Sequence, residues 1–395
     1  MTVEKIELAR KYGTPLYVYD LDVVRERYRN LKTWVPGAKF FYAMKANYNP
    51  RILKCLLDEG ANIDAVSVAE VLLAFKIGFS ADQILFTANM VTDDEMHEVN
   101  KRNVLFNIGS LSELRRFGQL YPGSEVCLRF NPDIVAGHHR KVRTGGKDTK
   151  FGIVLEDLEK AKAVVSEFGL IVVGIHEHTG SGIPETVDMV GGMRNILAIV
   201  SPENFPDLRF VDFGGGFKIS YYHDEEPPNY SEFGKEVNEL FSAVRKKYSR
   251  LDIFFEPGRY LAAESGCLLV RATTIKENCG KVIVGTDSGF PQLIRPMFYE
   301  AHHEITNLSN LGGSSKRYDV AGNICETGDY FASRREISEI SEGDFLCIHD
   351  AGAYCYSMGG VYNLRPMPSE VVLDDGVDEL VTKRKSNEEL VNEIF

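Results

Sequence analysis

The chain is poor in several things that would have pointed elsewhere. It has one tryptophan and seven cysteines (Cys55, Cys127, Cys267, Cys279, Cys325, Cys347, Cys355), odd in number, scattered, and without a Cys-x-x-Cys pair. That pattern argues against a zinc site or disulfide framework and fits a reducing compartment. No apolar run approaches the roughly 20 residues that span a bilayer. Residues 1–12 are charged and helix-prone and lack the apolar core of a secretory signal. Positive charge is also scarce: a net charge of −12 argues against a nucleic-acid surface. The expectation is a cytoplasmic protein with no membrane and no nucleic-acid partner. No Gly-x-Gly-x-x-Gly follows the first strand-like run, which counts against an open doubly wound sheet. Neither an internal repeat nor a low-complexity tract occurs.

What is present is a rhythm. Short apolar runs at 40–43, 63–66, 84–87, 104–108, 126–130, 171–175, 210–213 and 253–255 predict eight buried strands. Amphipathic helical stretches at 51–58, 69–77, 93–101, 111–121, 155–167, 190–200 and 230–247 follow most of them. Eight such units predict a parallel (β/α)₈ barrel of the TIM type. From about Cys267 the long helices stop, and runs at 267–273, 282–286, 318–321, 345–348 and 370–373 predict a mostly β C-terminal domain. The predicted division is a barrel over 25–265 and a β-rich domain of 1–24 plus 266–395, which an early strand at 16–19 can join. Residues 377–395, charged throughout, are predicted to be helical.

In such a barrel the chemistry lies where the strands end. Those positions hold Lys45, Ser67, Asn89, Gly109, Asn131, His176 with His178, Gly214-Gly215-Gly216, and Glu256-Pro257-Gly258-Arg259. Alone, Lys45 reads more readily as a strand-end lysine snorkelling to water. With the other clusters it becomes an amine for an aldehyde, its proton easier to lose where the site is desolvated. Glycines let backbone N–H groups approach a phosphate, and the loops after strands seven and eight are the usual phosphate site of barrels. Glu256 can keep a pyridine nitrogen protonated, or simply pair with Arg259. His176-Glu177-His178 has metal-ligating spacing as well as a ring-facing reading. The clusters converge on a phosphorylated aromatic aldehyde, pyridoxal 5′-phosphate, and assign no metal. The long polar loop at 133–152 has the length of a lid or of a solvated insertion.

Longer motifs carry a resemblance. Tyr42-Ala43-Met44-Lys45-Ala46-Asn47, Asp64 to Glu70, Lys150-Phe151-Gly152, His176 to Gly182, Asp212 to Phe217 and Glu256 to Arg259 are of this kind. So are Arg295-Pro296-Met297-Phe298-Tyr299, Gly322 to Asp329 and Asp350 to Tyr354. Through them the chain resembles the fold-type III pyridoxal-phosphate decarboxylases, which share the alanine racemase-like architecture, and among them the diaminopimelate decarboxylases most. The resemblance implies that Lys45 carries the cofactor, with His178, Ser181, Gly215, Gly216, Glu256, Gly258, Arg259 and Tyr354 around it. It implies Arg259, Arg295, Tyr299, Glu326 and Tyr354 for substrate, and Cys325 with Lys45 for catalysis. Cys325 and Glu326 would enter from the partner of a homodimer with shared sites.

The implied reaction is decarboxylation of meso-2,6-diaminopimelate at its D-centre to L-lysine and CO₂, the last step of lysine biosynthesis. Some positions depart from the family pattern: residues 285–292 precede Arg295 without the usual Asn-Asp pair, Gly322-Asn323-Ile324 lacks the common proline, and Asn89-Met90 lacks a lysine. A relative acting on another carboxylated amine, such as carboxynorspermidine, ornithine or lysine, or a siderophore or antibiotic precursor, therefore stays open. A silent, partner-binding relative would have no need of Lys45, Glu256 and Cys325.

Overall fold

The computed structural model describes residues 2–137, 144–146, 149–248 and 250–395. Eight parallel strands close into a ring: Ala38–Ala43, Asn62–Ala65, Ile84–Phe86, Leu105–Ile108, Glu125–Asn131, Ile171–His176, Phe210–Asp212 and Asp252–Phe255. The eighth pairs with the first, Phe255 opposite Phe40, and this contact closes the barrel. Strand ends differ from the sequence expectation by no more than two residues. The helices between strands start on local hydrogen bonds that the sequence supplies. Ser67 and Ser110 side chains accept from the N–H groups of Glu70 and Glu113, and Asn49 accepts from Arg51 N–H ahead of a helix that begins with Pro50.

The barrel interior is divided by chemistry. Near the N-terminal ends of the strands Phe41, Leu85, Cys127, Val173, Phe210 and Phe254 form an apolar plug. Phe210 and Phe254 stack with centroids 4.3 Å apart, and Gly174 makes room, since a Cβ there would lie 2.1 Å from Phe210 Cζ. Each buried phenylalanine contributes about 1.5–3 kcal/mol. Towards the C-terminal ends the buried side chains turn polar: Asp64, Thr87, Asn107, Arg129, His176, Asp212 and Glu256. The barrel is solid below and charged above.

The second sheet is built around Leu16–Asp20, antiparallel to Gly266–Asn278 and parallel to Ser369–Asp374. Lys281–Thr286, Ser315–Ala321, Tyr330–Ser338, Phe345–Ile348 and the shorter Ile305–Asn307 complete most of it. The expectation of a helix over 377–395 is corrected: Val377–Thr382 is a strand, hairpin-paired with Ser369–Asp374, and only Asn387–Asn392 is helical. Asp375 and Gly376 both have positive φ, 50° and 75°, the conformation an Asp-Gly hairpin turn requires. That dipeptide outweighed the charge of the segment.

Three contacts tie the sheet domain to the barrel mouth. Asn49 Nδ2 donates to Glu370 Oε1 at 3.3 Å, Asn47 Nδ2 to the Gly352 carbonyl at 2.8 Å, and Tyr354 N–H to the Ala46 carbonyl at 2.8 Å. They bring the loop around 350–354 over the ends of the strands.

Candidate active site

The first barrel strand ends at Ala43, and a single 3₁₀ turn, Met44–Ala46, carries Lys45 away from it. Asn47 then accepts from Asn49 N–H at 2.9 Å and turns the chain into the next helix. Lys45 opens onto a cavity of about 330 Å³ at the C-terminal face. His178, Ser181, Gly215, Gly216, Glu256, Gly258, Arg259, Tyr299 and Tyr354 line the same cavity, with Thr87, Asn89, Arg129, Thr144 and Phe151. Ten of the thirteen sequence-derived site residues, all but Arg295, Cys325 and Glu326, therefore meet at one place, although the strands that deliver them are far apart in the chain.

The electrostatics differ from the expectation in one respect. Burial pulls the Lys45 ammonium towards losing its proton, but Asp64, Tyr354 and Glu256 outweigh it and hold the group above its ordinary range. Lys45 Nζ lies 2.8 Å from Asp64 Oδ2, while Thr87 Oγ1 donates to the other oxygen of Asp64. The neutral amine expected from desolvation is thus an ammonium paired with a buried carboxylate.

Glu256 and His176 meet at 3.1 Å, both buried. Burial pushes Glu256 up to about 7, against the pull of Lys45 and Arg129. Burial, then Arg129, drives His176 well below the ordinary imidazole range. Glu256 Oε1 is buried without a protein partner. His176, Asp212 and Glu256 bring ligand atoms within 4.8 Å of one another. His178 takes a separate role: its Nδ1 accepts the Gly215 N–H at 2.9 Å. The two histidines of the His-x-His pair are therefore not a shared ligand set.

The glycine triplet is closely shaped. A Cβ on Gly215 would sit 2.6 Å from the Glu256 carbonyl oxygen, and one on Gly214 2.5 Å from His178 Nδ1. At Gly258 a Cβ would touch Tyr354 OH at 3.0 Å. Arg259 donates to Ser181 Oγ at 3.3 Å and to Tyr221 OH at 2.8 Å, and lies 5.1 Å from the Tyr354 ring centroid.

Beside this cavity lies a chamber of about 210 Å³ that shares Arg259 and Tyr299 and adds Arg295, Tyr221 and Lys218. Arg295 and Tyr299 begin and end one short helix, Arg295–Tyr299, and both line the chamber. Cys325 and Glu326 do not line the cavity or the chamber of their own chain; both are exposed on the loop after Ser315–Ala321, where Cys325 N–H donates to Asn363 Oδ1 at 3.1 Å. The lid expectation for 133–152 includes 138–143 and 147–148, which lie outside the described residues.

Arg129 sits within a strand and was passed over; Asp64 and Asp212 stand in motifs that the sequence reading quoted, but it gave neither a role. Charges inside otherwise apolar runs were the available signal. Tyr221 and His303 had no local signal, since their partners are remote in sequence.

Comparison with known proteins agrees with this geometry. Residues 21–263 match the family model described as pyridoxal-dependent decarboxylase, pyridoxal binding domain. The chain is 40% identical to a diaminopimelate decarboxylase of Methanothermobacter thermautotrophicus, covering 98% of this chain and 93% of that one. It is 33% identical to the diaminopimelate decarboxylase of Escherichia coli K12, over 99% and 96%. Among solved structures, diaminopimelate decarboxylase from M. jannaschii in co-complex with L-lysine superimposes with a TM-score of 0.91 at 30% identity, covering 99% of this chain and 94% of that one.

Proposed function

The chain belongs to the pyridoxal-dependent decarboxylases, and from that premise and the site we infer that it decarboxylates meso-2,6-diaminopimelate at the D-centre, releasing CO₂ and L-lysine. Pyridoxal 5′-phosphate is the cofactor, and the residues present fit it. The glycine cradle has no room for side chains, Glu256 Oε1 is a buried acceptor without a protein partner, and Lys45 supplies an amine in the same cavity. When bound, the cofactor supplies an aldehyde for amines and a protonated ring that takes up the electron pair left as a carboxylate departs.

Each side chain then has a task. Lys45 Nζ holds the cofactor aldehyde, and Asp64 Oδ2 is the carboxylate beside that nitrogen. Glu256, oriented by His176, would keep a proton on the ring nitrogen. Ser181, Gly215, Gly216 and Gly258, with Tyr354, would hold the phosphate. His178 would face the ring; burial, then the charges of Arg129 and Lys45, keep it neutral, and its Nδ1 accepts the Gly215 N–H.

One observation carries the substrate. Arg259 and Arg295 are 6% and 1% exposed, and no carboxylate pairs with either among the described residues; their contacts are hydroxyls, rings, an imidazole and the Cys355 thiol. Buried guanidinium groups require anions. The phosphate supplies one anionic group, and a carboxylate that survives the reaction supplies the other. Plain diamino acids such as ornithine bring no second carboxylate, whereas diaminopimelate does.

The assembly belongs to the same reading: a two-fold homodimer in which Cys325 comes near the reacting carbon of the partner's site and Glu326 near the distal amine. Its support is the exposure of both residues beside an apolar surface of Met297, Val361, Tyr362 and Leu364. A cytoplasmic location accompanies the reading, and no helix among the described residues is long and apolar enough to cross a membrane. A decarboxylation assay over meso-diaminopimelate, L-lysine, L-ornithine, L-arginine and carboxynorspermidine tests the assignment. Turnover of meso-diaminopimelate well above the others is expected, and preference for any other member of the panel overturns it.

A further inference from the structure

Arg295 is held by a residue that touches neither cavity. His303 lies between the Arg295–Tyr299 helix and the Ile305–Asn307 strand and is fully buried. Its Nε2 is 2.9 Å from Arg295 Nη1, and its Nδ1 is 2.8 Å from the His349 carbonyl oxygen. A guanidinium only donates and a carbonyl only accepts, so both ring nitrogens are determined: Nδ1 carries the hydrogen and Nε2 presents its lone pair. Burial, then the charge of Arg295, keeps the imidazole neutral.

The other side of the guanidinium meets an aromatic platform. Arg295 Cζ lies 4.6 Å from the Tyr221 ring centroid, and the His303 ring approaches the same tyrosine edge-on at 5.7 Å. The Tyr221 hydroxyl in turn accepts from Arg259. Arg295 Nε remains buried without a protein partner. The fork is thus held through Nη1, its face and the Cys355 thiol, while Arg295 still lines the chamber.

We propose that His303 is a positioning residue for substrate selection: it orients the Arg295 guanidinium through a neutral acceptor, so that the fork keeps its charge for the distal carboxylate. A carboxylate at position 303 would neutralise the arginine and compete with substrate; an apolar residue would leave the fork undirected. An uncharged acceptor avoids both. This inference rests on the proposed role of Arg295 in binding the carboxylate that survives the reaction.

The test uses two competitive inhibitors of the holoenzyme. L-Lysine retains that carboxylate and cadaverine lacks it. In His303→Leu the inhibition constant of L-lysine should rise roughly tenfold or more, as for loss of a charge-assisted hydrogen bond, and KM for diaminopimelate should rise with it. The inhibition constant of cadaverine, the cofactor content and kcat should stay near wild type. His303→Gln, which can present Oε1 to the arginine, should recover most of the loss, and it serves also if the leucine variant folds poorly. Equal weakening of both inhibitors in a folded variant means a general structural role and overturns the proposal. Arg295→Lys separates the two levels. If it weakens L-lysine selectively and the His303 variants do not, the positioning role is wrong. If it does not weaken L-lysine either, the carboxylate reading itself fails.

Discussion

Lys45 Nζ stands 2.8 Å from Asp64 Oδ2, an ion pair across the mouth of the barrel between adjacent strands. The carboxylate is fully buried, with Glu256 and Asp212 buried near it. The lysine is therefore the cation of an acidic cluster before it is a nucleophile. Asp64→Asn should lower the pH at which the cofactor-free lysine reacts with an aldehyde, by weakening the attraction that keeps it protonated. The rate of pyridoxal phosphate uptake against pH measures this; an unchanged profile means that Asp64 does not govern Lys45.

Gly215→Ala places a Cβ 2.6 Å from the Glu256 carbonyl oxygen. A backbone atom cannot step aside cheaply, and overpacking costs about 1–3 kcal/mol. The strain falls on the loop that holds the phosphate. Equilibrium dialysis of the cofactor-free variant should show the Kd for pyridoxal phosphate raised by roughly tenfold, and an unaltered Kd removes this glycine from the cradle.

Arg295→Lys keeps the charge and loses the planar fork. The kcat/KM for diaminopimelate should fall by about 1.5–3 kcal/mol, the scale of one charged hydrogen-bonded contact, with cofactor content unchanged. Near-normal activity would take away the main support for the dicarboxylate substrate.

Shared sites predict complementation. Lys45→Ala and Cys325→Ala homodimers should each be nearly inactive. After random exchange about half the dimers are hybrids with one intact site, so activity should return to roughly a quarter of wild type. Hybrids that form, by mass measurement, yet stay inactive indicate that each chain carries a complete site.

Glu177 is buried beside Thr179, whose hydroxyl it accepts at 2.9 Å, and burial pushes its carboxyl up to about 8 from an ordinary 4.5. In this window the folded chain keeps a proton that the unfolded chain has released. Stability is therefore full below the unfolded value near 4.5 and lost as pH rises towards 8, by up to about 1.4 kcal/mol per pH unit. Glu177→Gln stays neutral throughout, so it should match wild type in urea unfolding near pH 4.5 and exceed it at pH 8. A wild-type slope retained by the variant assigns the pH dependence to other buried acids.

Strand and helix placement in the barrel lay open in the sequence, because burial on both faces forces continuous apolar runs and because helix starts are marked by local caps such as Ser67 and Ser110. The same order of elements placed Lys45, the glycine triplet and Glu256-Pro257-Gly258-Arg259 at strand ends, since a parallel barrel has one face for all of them. Tertiary structure decided the rest. That Lys45 is charged depends on Asp64 across a strand pair, and the clamp on Arg295 depends on a carbonyl 46 positions from His303. The loop bearing Tyr354 reaches the barrel only because Asn47 and Ala46 hold its backbone. Periodicity reports which face of an element is buried. It does not report which buried charges meet, because those distances arise only when separate strands close into one ring.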